Sequence, residues 1–156
     1  RGYETNPHSK IVSEIMFLLR QIFSSEQFSV HDPNRPVYIH DFRAVHNPDC
    51  FVVLEPARLF EYQPGMNAET TPILLVEVLS KTTRDYDYAE KLPHYKQIPT
   101  LRQIIYLEST KMFATMYERS DEGSQWINTD YSRPDDSFLV NGQSLRLEEI
   151  YRKVAV

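Results

Sequence analysis

The chain has 156 residues, of which 41% are apolar and 25% are charged, and this is the composition of an ordinary globular protein. Its 17 Lys and Arg residues are outnumbered by 22 Asp and Glu residues, so the net charge is −5. This balance excludes a general attraction to nucleic acid or anionic lipid, so any phosphate-binding site has to be local. The one cysteine excludes an intrachain disulfide framework and a cysteine-based zinc site.

We expect a single domain over residues 1–156, because this length can bury a core without disulfides or a structural metal. No apolar run approaches the ~20 residues that cross a bilayer, so no membrane span is expected. The lone cysteine and the lack of a visible secretory leader fit a cytoplasmic protein.

The first predicted element is a helix that begins at Asn6-Pro7, because Asn is a good N-cap and Pro suits the first helical position. Apolar residues then recur at helical spacing, namely at Ile11, Ile15, Leu18, Leu19 and Ile22. This period predicts a helix that buries one wide face and ends near Ser24 or Ser25.

The middle of the chain predicts β-strands. Four apolar runs are separated by turn-forming residues, namely Phe28 to Val30, Val37 to Ile39, Asp49 to Leu54 and Ile73 to Leu79. The last run is apolar on both faces except at Glu77, which indicates a central strand that is covered on both sides. The segment from Pro56 to Asn67 is rich in Pro, Gly and Asn and is predicted to be a loop.

A second helix is predicted from Asp85 to Gln97, with Asp87 and Glu90 spaced as a capping pair and with Pro93 as a kink. The later elements are a hairpin of Arg102 to Leu107 and Lys111 to Glu118, a strand from Ser124 to Tyr131, a turn at Asn141-Gly142, and a strand with a short helix over Leu145 to Tyr151. The order of helix, strands, helix and strands favours an α/β or α+β fold around a mixed sheet.

Two carboxylates occupy unusual positions. Glu77 shares a strand face with Leu75 and Leu79, where an ionised carboxylate needs an Arg or Lys, a proton or a metal ion to offset its burial. Asp49 opens another apolar run directly after Pro48. Two carboxylates at the ends of neighbouring strands suit Mg²⁺, with water and phosphate as its other ligands. The alternative is that Asp49 caps a turn while Glu77 pairs with a buried cation.

Lys91 lies on the predicted helix that follows the Glu77 strand. A right-handed crossover lays such a helix back over the sheet, so the lysine could point toward the strand ends. In a metal-dependent hydrolase, a lysine there could orient or help deprotonate the attacking water and stabilise the developing charge. The alternative is a solvated lysine on the helix surface.

Three features together resemble the Uma2 family of proposed restriction endonucleases, which belongs to the PD-(D/E)XK nuclease superfamily. They are Pro48-Asp49, then Val76-Glu77-Val78-Leu79-Ser80, and then Asp87, Lys91 and Tyr95. The similarity is most specific from Leu74 to Asp87 and weaker over the rest of the chain. It implies a restriction-endonuclease-like core, in which helices flank a mixed sheet. Family members usually begin with a further strand-turn segment, which we expect to be missing before Arg1.

The resemblance implies that Asp49 and Glu77 hold Mg²⁺ or Mn²⁺ and that the backbone carbonyl of Val78 completes the metal site. Leu79 occupies the usual lysine position of the superfamily, and the resemblance assigns that role to Lys91 on the following helix. The implied activity is metal-dependent endonucleolytic hydrolysis of DNA. We expect a homodimer, because cleavage of both strands favours a two-fold arrangement.

Five further residues are candidate auxiliary site residues, namely His8, Glu14, Ser80, Asp87 and Tyr95. Each also has an ordinary structural explanation, such as a solvated helix face for the first two and helix capping for Asp87. Lys81 and Arg84 flank the loop after Glu77 and could contact phosphate, although two cations in one loop are common.

Two other functions stay open at this point. The chain could be a catalytically inactive nuclease-fold module for binding or regulation, because of its acidic balance, its displaced lysine and Pro93. It could also be a hydrolase of another phosphoester that uses the same metal site.

Overall fold

The computed structural model describes residues 6–156. The helices in this range are α1 (Asn6–Ile22), α2 (Arg84–Tyr86), α3 (Leu92–Tyr95) and α4 (Leu147–Ile150), with a 3-10 turn at His40–Phe42 and a π-helical turn at Asp87–Lys91. The strands are β1 (Phe28–His31), β2 (Val37–Ile39), β3 (Ala44–His46), β4 (Cys50–Leu54), β5 (Leu59–Gln63), β6 (Met66–Glu69), β7 (Pro72–Leu79), β8 (Gln103–Glu108), β9 (Ala114–Arg119), β10 (Trp126–Tyr131), β11 (Ser137–Val140) and β12 (Gln143–Arg146).

A six-stranded sheet with the order β1-β4-β7-β8-β9-β10 forms the centre of the fold. Its neighbouring strands are antiparallel except β7 and β8, which run parallel. A parallel pair needs a crossover connection, and the helical segment from α2 to α3 supplies it. A four-stranded sheet (β3-β2-β6-β5) and the β11–β12 hairpin complete the described chain. The predicted α+β architecture, with a mixed sheet flanked by helices, is thus confirmed.

Side chains of the central sheet alternate between two hydrophobic layers, as the period of a β-strand requires. The layer under α1 includes Cys50, Val52, Leu74, Val76 and Val78. The opposite layer, which the crossover covers, includes Phe51, Leu75, Leu79, Tyr95, Ile104 and Tyr106. Glu77 lies on the same face of β7 as Leu75 and Leu79, so its carboxylate belongs to the layer under the crossover.

The prediction of a loop from Pro56 to Asn67 was wrong, because β5 and β6 form an antiparallel hairpin there. Most residues of β5 are exposed, so the run lacks the alternation of buried and exposed residues that marks a half-buried strand. The turn-forming residues were nevertheless a correct indication of a turn, since Gly65 lies between the two strands with a φ of 76° that favours glycine. The short strand β3 also lies where none was predicted.

The helix predicted from Asp85 to Gln97 is present but irregular, because a π-helical turn separates α2 from α3. Pro93 explains the irregularity. A proline inside a regular helix leaves one carbonyl without its donor and clashes with the carbonyl four residues earlier. Here Pro93 lies at the start of α3, directly after the wider π turn.

The other predicted elements are confirmed at nearly the predicted positions. α1 ends at Ile22, and β8 and β9 form the predicted hairpin. Asn141 and Gly142 join β11 to β12 with φ angles of 50° and 74°, which is the backbone geometry that an Asn-Gly turn favours. Among residues 6–156, the structure contains no helix with the length and apolar character of a membrane span.

Candidate active site

Glu77 is buried in the layer under the crossover, with 2% of its surface exposed. The hydroxyl of Tyr95 donates a hydrogen bond of 2.6 Å to its Oε2 atom, and Nζ of Lys91 lies 3.3 Å from the same oxygen. Burial raises the pKa of Glu77 to about 7, against the opposing effect of the positive charge on Lys91. Carboxyl groups whose pKa is raised this far cluster at functional sites.

Asp49 lies opposite Glu77 across the antiparallel pair of β4 and β7. Cys50 is paired with Val76, so continuing the register by one residue brings Asp49 level with Glu77 on the same face. The negative charge of Asp49 contributes to the raised pKa of Glu77, so the two carboxylates are within electrostatic range. Oδ2 of Asp49 accepts a 2.7 Å hydrogen bond from the backbone N–H of Val78.

Pro48 changes the backbone pairing at the end of β7. The N–H of Val78 points toward Asp49, whereas the carbonyl of the next residue, Leu79, accepts from Ser109 on the opposite side. Because N–H and C=O of one strand residue point the same way, the carbonyl of Val78 also faces β4. The pairing of β4 with β7 ends at Cys50 and Val76, and extending this register by two residues would place Pro48, which has no N–H to donate, opposite Val78. Pro48 therefore cannot bond the carbonyl that the family resemblance implies as a metal ligand.

Lys91 lies between two carboxylates. Its Nζ is 3.2 Å from Oδ1 of Asp87 and 3.3 Å from Oε2 of Glu77, and the ring of Tyr86 is centred 5.6 Å away. Burial alone would lower the pKa of Lys91, but Glu77 and Asp87 outweigh burial and the pKa is raised. Burial raises the pKa of Asp87, although the attraction of Lys91 opposes this change. The amine is thus held as a cation within an acidic cluster, which is formed by Asp49, Glu77 and Asp87.

The predicted capping pair of Asp87 and Glu90 is wrong. Thr83 occupies the N-cap position of α2, and Asp87 lies inside the π turn, where it is buried. A buried carboxylate inside a helical turn cannot satisfy the N–H groups that are exposed at a helix start. Asp87 instead faces Lys91.

Two of the candidate auxiliary residues lie on α1, with different surroundings. Nε2 of His8 is 3.5 Å from Oδ2 of Asp49, so the start of α1 reaches the acidic cluster. Glu14 is buried further along α1, where its carboxylate lies 3.6 Å from Arg152 and 4.0 Å from Lys153. These contacts connect Glu14 to the chain after α4 rather than to Asp49.

Ser80 and Tyr95 also differ in their surroundings. The hydroxyl oxygen of Ser80 lies 3.1 Å from that of Thr82 and 2.9 Å from that of Thr83, so these contacts stay within its own loop. Tyr95 is fully buried and contacts Glu77. The structure thus brings Tyr95, but not the Ser80 hydroxyl, into contact with the acidic cluster.

The acidic cluster consists of Asp49, Glu77 and Asp87 around Lys91. Its carboxylates outnumber its amine, and buried excess negative charge is stabilised by a cation. Oxygen donors of this kind suit Mg²⁺ or Mn²⁺. Within residues 6–156, no group of three or more His, Cys, Asp or Glu side chains is arranged to hold a metal ion. An ion in this cluster would therefore need backbone, water or substrate oxygens as further ligands.

Two histidines lie next to the acidic cluster, and the sequence patterns did not indicate them. Nε2 of His46 lies 2.8 Å from Nδ1 of His94, and the ring of His46 packs edge-on against Tyr95. Burial lowers the pKa of His46 to about 4, with further contributions from the positive charges of Lys91 and His94. Their positions in the sequence could have indicated them, because each histidine lies within three residues of a motif residue, Asp49 or Tyr95.

Comparison with a solved structure gives the class of fold. The crystal structure of a "putative nuclease belonging to DUF820" from Anabaena variabilis is similar over 97% of this chain and 84% of that chain, with a TM-score of 0.69. Its sequence identity is 14%, so this likeness shows the fold alone.

The particular family follows from the sequence. A model of the Uma2 family, described as "Putative restriction endonuclease", matches residues 3–151, and the chain belongs to this family. The uncharacterized protein slr1290 of Synechocystis sp. is 34% identical over 87 residues, which are 55% of this chain and 45% of that protein. The uncharacterized protein sll1609 of the same organism is 22% identical over 123 residues, 79% of this chain and 68% of that protein. The match thus spans less than half the length of slr1290.

Proposed function

We propose that the protein is a metal-dependent endonuclease that hydrolyses phosphodiester bonds of DNA. The observation that carries this proposal is the position of Glu77, which is buried opposite Asp49 and shares one oxygen between Lys91 and Tyr95. Membership of a family described as "Putative restriction endonuclease" supports the same reaction class.

Asp49 and Glu77 are the proposed metal ligands, together with the backbone carbonyl of Val78. Their oxygen atoms suit Mg²⁺ or Mn²⁺, and the N–H of Val78 already bonds Asp49, so strand geometry directs the carbonyl of Val78 to the same side of β7. When bound, such an ion supplies Lewis acidity at the scissile phosphate and makes a nearby water easier to deprotonate.

Lys91 supplies the positive charge of the proposed reaction. Its ammonium group can donate hydrogen bonds to an attacking water and stabilise the negative charge that develops on the phosphoryl oxygens. Asp87 holds Lys91 at 3.2 Å, and Tyr95 holds the carboxylate of Glu77 at 2.6 Å. His8 lies 3.5 Å from Oδ2 of Asp49, the oxygen that also accepts from the N–H of Val78. These three residues position the reacting groups rather than take part in bond cleavage.

Nicking of supercoiled plasmid in Mg²⁺ or Mn²⁺ tests the proposal. We expect the wild type to nick DNA, and we expect Asp49→Asn and Glu77→Gln each to reduce the rate by about 10²-fold or more. Glu26→Gln is the matched control, because it removes the same charge from an exposed position outside the acidic cluster. Activity that survives both Asp49→Asn and Glu77→Gln contradicts the mechanism.

We also propose that the active form is a homodimer. Residues 6–156 of each chain form one acidic cluster, whereas a break in both strands of a duplex needs two reactions related by the symmetry of DNA. Light scattering of the wild type at the concentrations of the nicking assay tests this. A monomer that linearises plasmid in a single binding event contradicts the dimer.

The second candidate function is a non-catalytic binding module. One observation favours it, because Lys91 already pairs with Glu77 and Asp87 and offsets their burial without a metal ion. Calorimetric titration with Mn²⁺ separates the two functions. Heat of binding that disappears in Asp49→Asn supports the nuclease, whereas a folded wild type that binds no Mn²⁺ at millimolar concentration supports the module.

A further inference from the structure

A pocket of about 360 Å³ lies at the C-terminal ends of the parallel strands β7 and β8. The loop between β7 and α2 and the loop between β8 and β9 form its walls. Its polar lining residues are Ser80, Lys81, Arg84, Glu108, Thr110 and Lys111. In an open sheet, the carboxyl ends of parallel strands are a common position for ligand sites.

The pocket carries local positive charge in a chain whose net charge is −5. Arg84 is paired with Glu108, so these two charges offset each other. Within residues 6–156, neither Lys81 nor Lys111 forms an ion pair, and Nζ of Lys111 lies 5.0 Å from the ring of Phe113. The two lysines therefore supply positive charge that no carboxylate of the described chain neutralises, as an anion-binding site requires.

Arg84 is held in place without a ligand. Its guanidinium group pairs with Glu108 and lies 5.2 Å from the ring of Tyr88, which in turn stacks on Tyr106 at 4.6 Å. A side chain that is already ordered loses less conformational entropy when it binds a ligand. The hydroxyl groups of the pocket add O–H donors, which phosphate oxygens accept.

The pocket is next to the acidic cluster on the same face of β7. Leu79 lines the pocket two residues beyond Glu77, and a strand rises about 3.3 Å per residue, which gives a separation of about 7 Å along the strand. A DNA strand advances about 3.4 Å along the helix axis per nucleotide. A phosphate in the pocket would thus belong to a nucleotide about one or two steps from a phosphate at Glu77.

We propose that this pocket binds a backbone phosphate of DNA beside the phosphate that is cleaved. Lys81 and Lys111 neutralise the bound phosphate, and Arg84 with the loop hydroxyls donates hydrogen bonds to its oxygens. Such a contact fixes the position of the strand and carries no sequence information. The identity of the ligand as DNA rests on the proposed nuclease function, whereas the anion-binding chemistry rests on the pocket itself.

DNA binding as a function of salt tests the pocket. A labelled duplex is titrated with protein in EDTA, so that binding is measured without cleavage, by fluorescence anisotropy at several salt concentrations. We compare the double variant Lys81→Ala/Lys111→Ala with the double control Lys10→Ala/Arg58→Ala, which removes the same charge from exposed residues outside the pocket. Because all four side chains are exposed, we expect both double variants to melt close to the wild type.

We expect the pocket variant to bind several-fold more weakly and to lower the slope of log K against log[salt] by about 1, which corresponds to one lost phosphate contact. The control should keep the wild-type slope, and Lys81→Arg/Lys111→Arg should restore most of the affinity. Equal slopes in the pocket variant and the control overturn this inference.

The nicking assay distinguishes failure of the pocket from failure of the nuclease. If the wild type nicks DNA while the pocket variant keeps the control slope, the proposed phosphate binding by the pocket is wrong and the proposed nuclease activity stands. If the wild type binds DNA with the expected slope change but does not nick it, the pocket stands and the proposed catalysis fails. A wild type that binds no DNA at low salt and does not nick it in Mg²⁺ or Mn²⁺ overturns both.

Discussion

The hydroxyl of Tyr95 donates a hydrogen bond of 2.6 Å to Oε2 of Glu77, and both side chains are buried. Without the phenol, Oε2 of Glu77 would keep only Lys91 as a donor, at the longer distance of 3.3 Å, and part of the cost of burying the carboxylate would no longer be offset. The phenol of Tyr95 therefore has a role that a benzene ring of nearly the same size cannot fill.

Tyr95→Phe should accordingly lower the free energy of unfolding by about 1–3 kcal/mol. It should reduce nicking less than Glu77→Gln does, because the carboxylate remains. Urea denaturation measures the first effect, and Tyr62→Phe, at a half-buried position without a hydrogen bond to the acidic cluster, is the control. Equal denaturation midpoints for the wild type and Tyr95→Phe contradict the role of this hydroxyl.

Lys91→Met should reduce nicking by about 10²-fold or more, because the variant lacks the charge beside the reacting phosphate. Its affinity for Mn²⁺ should not weaken, since removal of a cation from a cluster of carboxylates favours binding of another. Single-turnover nicking and calorimetry measure the two effects, with Lys10→Met at an exposed position of α1 as control. Loss of nicking together with loss of Mn²⁺ binding would make Lys91 a structural residue.

Mn²⁺ should raise the melting temperature of the wild type, because a ligand that binds only the folded state stabilises it. Asp49→Asn and Glu77→Gln should show a smaller increase, whereas Glu26→Gln should match the wild type. Removal of the ion with EDTA should abolish nicking, and excess Mn²⁺ should restore it. An identical increase in all four proteins would place the ion elsewhere.

His46 should make stability depend on pH below neutrality. Its pKa is about 4 in the folded protein and 6.5 for the ordinary side chain, because of burial and the positive charges of Lys91 and His94. Between these values the unfolded chain binds a proton that the folded protein does not, so the contribution of His46 to stability is lost as the pH falls from about 6.5 to 4.

Urea denaturation of the wild type and His46→Gln between pH 7.5 and pH 4 checks the sign. The stability of the wild type relative to His46→Gln should fall as the solution becomes more acidic. His40→Gln, at an exposed histidine, is the control and should follow the wild-type profile. Parallel profiles of the wild type and His46→Gln would show that His46 titrates normally in the folded protein.

The central part of the fold could be predicted because local pattern and tertiary position agree there. β7 is apolar on both faces, and the structure covers both of its faces. Glu77 stood out in the sequence because a carboxylate interrupts that pattern, and it is buried as its strand position requires. Asp49 stood out because it opens another apolar run directly after Pro48, and the family resemblance pointed to the same pair.

The rest of the candidate site depends on contacts that no local pattern encodes. His46 and His94 meet only because β3 and α3 come together in the folded chain. Asp87 looked like a helix cap because its spacing from Glu90 fits a regular helix, whereas the π turn before Pro93 turns its carboxylate inward. The β5–β6 hairpin was missed because its strands lie mostly at the surface.

The proline at position 48 prevents a competition between sheet hydrogen bonding and cation binding at the end of β7. Any other residue would bring an N–H group that could complete the next rung of the β4–β7 ladder and occupy the carbonyl of Val78. This N–H group would then compete with a cation for the carbonyl oxygen of Val78. With proline at position 48, no backbone N–H comes from that residue to bond the Val78 carbonyl, which we propose as a ligand for a cation in the acidic cluster.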